Sequence, residues 1–270
     1  MILQQKIPII SCERINPVFF RLRFFSPRIA RESNPGNFVH IRINENGFPL
    51  LRRAFSIHCL VREKGTFDVL FKVLGPGTKL LSQRRPGQEL DVLGPLGNCF
   101  STPKRPKDEI ILVAGGMGIA PLFFLASDLC KEGKPDPSKI SLLYGVKNKD
   151  EFLCLKDLKN LRLELVLATE DNTQGFGGKV TELFMKKLSK CSDRRKVKVF
   201  ACGPPAMMKK MSEYSRKHGF ECQVSLENHM PCGLGACMGC VVKCGKKDKF
   251  NYKRVCVDGP VFDAREVWFD

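Results

Sequence analysis

Four cysteines near the end of the chain, Cys232, Cys237, Cys240 and Cys256, follow the spacing C-x4-C-x2-C with a distant fourth. Thiolates at that spacing are the plant-type ligand pattern of a [2Fe-2S] cluster. The intervening glycines suit it, because a loop wrapped round a cluster must turn tightly and aim backbone N–H groups at sulfur. Zinc is the alternative, but zinc sites usually pair two Cys-x2–4-Cys knuckles, and this arm has one tight pair and a four-residue gap. Cys244 is a fifth candidate. Cys256 is preferred as the fourth ligand because YKRVCVDGP places it in a separate strand-like segment that can close the loop. His229 has no partner in a Cys-x-His pair, so a Rieske-type site is not indicated.

A second set of residues could bind a dinucleotide. Gly115-Gly116-Met117-Gly118-Ile119-Ala120-Pro121 stands where an apolar strand should turn into a helix. Glycines there let the backbone approach a diphosphate, and the helix N-terminus offers free N–H groups to it. Cys202-Gly203-Pro204-Pro205 repeats the situation at a later strand end, where a small thiol and a glycine would let a flat nicotinamide ring lie close to the backbone. Thr169-Glu170-Asp171 could accept ribose hydroxyls. Lys147 and Lys149 could approach a 2′-phosphate, so NAD and NADP both stay open.

The third set lies earlier. Arg52-Arg53-Ala54-Phe55-Ser56 sits in an apolar strand, and Leu74-Gly75-Pro76-Gly77-Thr78-Lys79 follows about twenty residues later. An arginine beside a turn rich in N–H donors suits a diphosphate, and a serine near it could bond a flavin edge. Electron counting joins the three sets: a cluster passes single electrons, a nicotinamide accepts two as hydride, and a flavin does both.

These residues need a frame. The chain has 270 residues, enough for two modules and a short third. Up to about Phe100, short alternating runs (FFRLRFF, FVHIRI, LRRAFSIHCL, TFDVLFKVL, ELDVLGPLG) broken by NPG, NENG, REKG and RRPG predict an antiparallel β-barrel or sandwich over 1–102. After a polar linker, TPKRPKDE, five strands alternate with four helices over 108–224, which predicts a doubly wound parallel five-stranded α/β sheet. Residues 225–270 form a cysteine-rich arm without room for its own core.

Composition excludes other classes. Ile110–Ser127 is an 18-residue run without charge, long enough to span a membrane. Its three glycines and Pro121 favour a buried strand, a turn and a helix start instead. The net charge of +17 is spread, with an excess of 11 over residues 1–107, 5 over 108–224 and 1 over 225–270. The densest basic runs lack interleaved stacking aromatics, so a nucleic-acid partner is not indicated. Thirteen cysteines and no visible secretory signal point to a reducing cytoplasm.

In this order, RxxS, GxGT, GGMGIAP, ACGPPAMM and CGLGACMGC-x15-C, the motifs resemble the ferredoxin-reductase-type flavoproteins. Within those they are similar to the electron-transfer subunits of class 1B dihydroorotate dehydrogenases. The resemblance covers essentially the whole chain. It implies FAD held by Arg53, Ala54, Phe55, Ser56, Leu70, Phe71, Lys72, Gly77 and Thr78, with the cluster on Cys232, Cys237, Cys240 and Cys256. It also implies a heterotetramer with two FMN-containing catalytic chains that oxidise dihydroorotate in pyrimidine biosynthesis, electrons running from FMN through cluster and FAD to NAD. The chain departs from typical members at Ala54, where proline is usual, and at Pro231, where a small residue is common. Two alternatives remain: a similar subunit of a ferredoxin- or sulfur-linked NAD(P) oxidoreductase, and a zinc-bearing interaction protein.

Overall fold

The computed structural model describes residues 2–45, 47–102, 109–131, 136–246 and 248–269. The expected polar linker lies largely in 103–108, outside the described residues. The first part is a closed barrel of β1 (Leu3–Arg14), β2 (Phe19–Phe25), β3 (Phe38–Ile41), β4 (Arg53–Val61), β5 (Thr66–Lys72) and β6 (Glu89–Leu96), in the order β1-β2-β5-β4-β3-β6. All its pairings are antiparallel, and β6 returns to β1. Closure leaves no edge strand to pair with another molecule. Alternation drives it: along FFRLRFF, Phe19, Leu22 and Phe24 are buried, and Phe24 stacks on Phe67 at 5.3 Å inside the barrel. Two short helices, α1 (Pro27–Glu32) and α2 (Pro76–Ser82), interrupt the barrel. The second begins in the Gly-Pro-Gly run that reads as a plain turn in sequence.

The second part contains the five expected parallel strands, β7 (Glu109–Gly115), β8 (Ile140–Val146), β9 (Glu164–Thr169), β11 (Val197–Cys202) and β12 (Glu221–Ser225). Two strands extend that sheet to seven. Two-residue β10 (Phe176–Gly177) adds in parallel beyond β9, and β15 (Val261–Asp263), contributed by the arm, adds antiparallel beyond β12. The helices are α3 (Ile119–Leu129), α4 (Leu155–Lys159), α5 (Val180–Leu188) and α6 (Pro205–His218). Gly219 at φ +72° and the basic last turn Arg216-Lys217-His218 end α6, as dipole and left-handed cap require.

The charge-free run resolves as β7, a tight turn and α3. This helix is buried nearly all round, because β7 and β11 pack on one side and the barrel strand β4 on the other. Among the described residues no helix is long and apolar enough to cross a membrane.

The arm adds β13 (Val241–Lys246), β14 (Lys249–Arg254) and β16 (Val267–Trp268), a three-stranded sheet ordered β14-β13-β16. Its apolar residues, among them Val255, Cys256 and Val267, join one core with Val199, Met208 and Phe220 of the nucleotide part. The arm is therefore stabilised by its neighbours. Arg216 covers the Trp268 ring at 4.1 Å and donates to the Val267 carbonyl at 3.0 Å. Asn98, just past the barrel, donates to the Val261 carbonyl and accepts from its N–H, both at 2.9 Å.

Candidate functional site

One cavity of about 300 Å³ is walled by all three parts. The barrel supplies Arg53 to Ser56 on β4, Leu70 to Lys72 on β5, and Thr78 on α2. The nucleotide part supplies Met117 and Ala120, and the arm supplies Glu227, Asn228 and Met230. The two neighbouring arginines separate cleanly. Arg52 is engaged by a forked pair with Asp91, at 2.7 and 3.1 Å. Burial pushes the Asp91 carboxyl up, but this fork outweighs it and holds the group below the ordinary carboxylate range. Arg53 instead donates to the Leu51 and Arg52 carbonyls and is one of the residues that line the cavity.

Gly77 is buried against this arginine: a Cβ built there would stand 3.3 Å from Pro49 Cγ and 3.6 Å from Arg53 Nε. Thr78 Oγ1 accepts from the N–H groups of Leu74 at 2.9 Å and Gly75 at 3.2 Å, which fixes the turn. A cation beside an ordered turn, with Phe55 and Phe71 edge to face at 5.8 Å, is a wall with a polar end for a diphosphate and an apolar end for a ring system. Glu227 is a cavity residue that sequence spacing did not single out, and desolvation raises its carboxyl above the usual range.

A second cavity, of about 250 Å³, opens at the carboxyl ends of the parallel strands, where ligands of such sheets bind. Gly115, Gly116 and Pro204 line it, together with Lys147 and Glu170. The structure keeps the other expected nucleotide residues off this wall. Gly118 presses on the Cys202 carbonyl so closely that a Cβ there would collide with it, and Gly203 packs on Gly115. Cys202 is buried beneath, its thiol pushed well up by burial. Thr169 bonds Gln174 and Asp171 bonds Thr173, so only Glu170 of that triplet reaches the cavity. Lys149 is not on the wall either, whereas Lys179, Lys210 and Glu151 are, and nothing in their spacing singles them out.

In the cysteine arm the sulfurs come in twos. Cys232 and Cys237 interact as one pair, Cys240 and Cys256 as another. Two irons with two thiolates each require such pairs. Backbone N–H groups already point at the sulfurs: Leu234 to Cys232, Gly239 to Cys237 and Cys256 to Cys240, each at 3.4 Å. Burial opposes ionisation of Cys232, but N–H donors from Leu234, Cys237 and Ala236 prevail and bring it to about 6. Burial and the neighbouring Cys240 push Cys256 up to about 12, a conflict that bound iron would relieve. Cys244 sits on the middle strand of the arm's sheet, in register with Asn251 and Val267 on either side, and is buried in the core with its thiol raised by burial. Pro231 packs on Gly239, between two of the four cysteines. The chemistry of the donor set suits a [2Fe-2S] cluster, although among the described residues no three ligating side chains are drawn together closely enough to form a metal group. None of the thirteen cysteines is joined in a disulfide.

A closed barrel, a parallel nucleotide sheet and a four-cysteine arm meeting at one cavity define a ferredoxin-reductase-type flavoprotein with an iron-sulfur arm. Residues 6–100 match the oxidoreductase FAD-binding domain, 112–213 the oxidoreductase NAD-binding domain, and 227–268 the iron-sulfur cluster binding domain of dihydroorotate dehydrogenase B. The chain is 37% identical over 259 residues, 96% of each chain, to the dihydroorotate dehydrogenase B (NAD(+)) electron transfer subunit of Desulforamulus reducens. It is 36% identical to the subunit of the same name from Caldanaerobacter subterraneus, over 98% of this chain and 99% of that one. Among solved structures, a chain of the NADH-dependent reduced ferredoxin-NADP oxidoreductase aligns with TM-score 0.83 and 32% identity, over 97% of this chain and 90% of that one. A ferredoxin NADP+ reductase from Neisseria gonorrhoeae, 19% identical with TM-score 0.67 over 84% of this chain and 95% of that one, shares the fold. The chain belongs to the family of dihydroorotate dehydrogenase B (NAD(+)) electron transfer subunits.

Proposed function

We propose that this chain is the redox subunit of a cytoplasmic NAD-dependent dihydroorotate dehydrogenase, in a complex of two such chains with two FMN-containing catalytic chains, serving pyrimidine biosynthesis. The observation that carries this is the cavity shared by barrel and arm: Met230, two residues before Cys232, lines the same space as Arg53 to Ser56. When bound, the cluster supplies single electrons, FAD exchanges single electrons for pairs, and NAD accepts the pair as hydride.

The protein's part is to hold and order these groups. Cys232, Cys237, Cys240 and Cys256 hold the cluster. Arg53 neutralises the FAD diphosphate beside Gly77 and Thr78. Ala54, Phe55 and Ser56 on one strand, and Leu70, Phe71 and Lys72 on the next, enclose the rest of FAD. Gly115 and Gly116 admit the NAD diphosphate to the second cavity, with Gly118, Cys202 and Gly203 setting the backbone behind them. Lys147, Lys179 and Lys210 offset the negative charge there.

The test is affinity capture of the chain from its own cells, with iron and flavin measured per chain. Two irons, one FAD and an equimolar FMN-binding chain that oxidises dihydroorotate are expected. Capture of a different oxidoreductase would shift the assignment to a ferredoxin- or sulfur-linked complex.

A further inference from the structure

His40 has no exposed surface and lies on β3, directly opposite Ala54 of β4, between the cavity strand and the arm. Neither ring nitrogen makes a hydrogen bond of ordinary geometry, although the main chain of Met230, Cys232 and, from the barrel side, Arg52 lies close enough to interact with the ring. A buried polar group left in that state costs free energy and calls for an explanation. The surroundings supply one. The main chain at Met230 and Cys232 borders the ring, and a Cβ built on Gly233, whose φ is +71°, would stand 2.5 Å from His40 Nδ1. Only a glycine lets the peptide after Cys232 lie so close to an imidazole.

We propose that His40 is a positioning residue of the electron path: its ring N–H is the donor held for the Met230–Cys232 segment, fixing the first thiolate of the arm relative to the strand that faces the flavin. The inference rests on the assignment of Cys232 as a cluster ligand. A hydrogen-bond donor near a group that gains an electron stabilises the reduced form, so removing it makes reduction harder. His40 touches the main chain of the ligand loop, so it acts through that loop.

The experiment uses the full chain purified with FAD and cluster, as wild type, His40→Leu and His40→Asn. Iron and FAD per chain, the electron paramagnetic resonance spectrum of the reduced cluster and its midpoint potential are measured. His40→Leu is expected to keep FAD and to make cluster reduction roughly tenfold less favourable, about 59 mV for a one-electron couple, with a shifted resonance spectrum. His40→Asn, which retains a donor, is expected to recover at least half of that shift. Loss of iron from His40→Leu with retention in His40→Asn also supports the donor role. An iron-replete His40→Leu with wild-type potential and spectrum would overturn it, as would His40→Asn behaving like His40→Leu, or loss of iron from both. A wild-type chain without iron would instead overturn the ligand assignment.

Discussion

Lys72 Nζ stands 3.2 Å from Glu151 Oε1, so the barrel strand that lines the first cavity is tied to the turn that borders the second. Lys72 also lies over the Phe19 ring at 5.0 Å, which fixes its stem on the barrel side. One ion pair thus bridges the walls of the two cavities.

Glu151→Gln removes that ion pair and preserves its shape. With each side chain still about a quarter to a third exposed, the loss is expected to stay below about 1 kcal/mol. Flavin-fluorescence melting should drop by no more than about 4 °C. A larger drop would show that the pair holds the two parts together.

Cys237→Ser is expected to abolish the cluster absorption while FAD stays bound, because the cysteine lies outside the wall of the FAD cavity. Cys244→Ala is expected to keep both, since that residue is buried in the hydrophobic core on the middle strand of the arm's sheet. Iron per chain and the visible spectrum decide. Iron lost from Cys244→Ala and retained in Cys237→Ser would reverse the ligand assignment.

Gly118→Ala forces a methyl group onto the Cys202 carbonyl, and neither backbone can yield without moving the strand end. The expected result is destabilisation by about 3 kcal/mol or more, the upper end of what overpacking costs, or failure to accumulate. Gly116→Ala meets open space at φ +51° and should cost only about 1–2 kcal/mol. Chemical denaturation of the two variants side by side tests the contrast.

His58 is fully buried, with Nδ1 3.2 Å from the Ala120 carbonyl and Nε2 3.5 Å from Cys154 Sγ. Burial pushes its imidazole down to about 3, only partly offset by the Ala120 carbonyl. An unfolded histidine titrates near 6.5, so between about 6.5 and 3 the unfolded chain binds the extra proton. Stability from this group is therefore full above about pH 6.5 and falls as pH drops through that window. Urea midpoints measured from pH 8 to pH 4 should decline, and His58→Phe should flatten the decline. An unchanged slope in the variant would assign the acid sensitivity elsewhere.

Much of this architecture was readable from residue pattern. β2 coincides with FFRLRFF because alternation and turn chemistry agree there, and the 18-residue apolar run was correctly divided by its glycines. The extension of the parallel sheet was not readable. β15 is three residues long, and its partner β12 lies far back along the chain, so no local periodicity marks the pairing. β1 is not marked by a clear pattern, because Pro8 and scattered polar residues blur its alternation. At the sites, the cysteine spacing was informative because ligand geometry restricts it. Cys202 and Gly203 were not separable from Gly115 and Gly116, since a strand-end motif reads alike whether its backbone faces ligand or packs behind it. Lys179 and Lys210 were invisible because surface lysines are abundant and only the fold selects those two.

The pairing of Val261–Asp263 with Gln223–Ser225 also bears on how such chains could be recombined. The arm is not a detachable cassette: one of its strands is a stave of the sheet that serves the nucleotide. Cutting a chimera at Glu227 would strip β12 of its outer neighbour and expose a row of unsatisfied main-chain groups, an invitation to aggregate. A viable junction falls before β12, so that donor and acceptor strands travel together. An ancestral lineage that acquired the arm would have faced the same constraint.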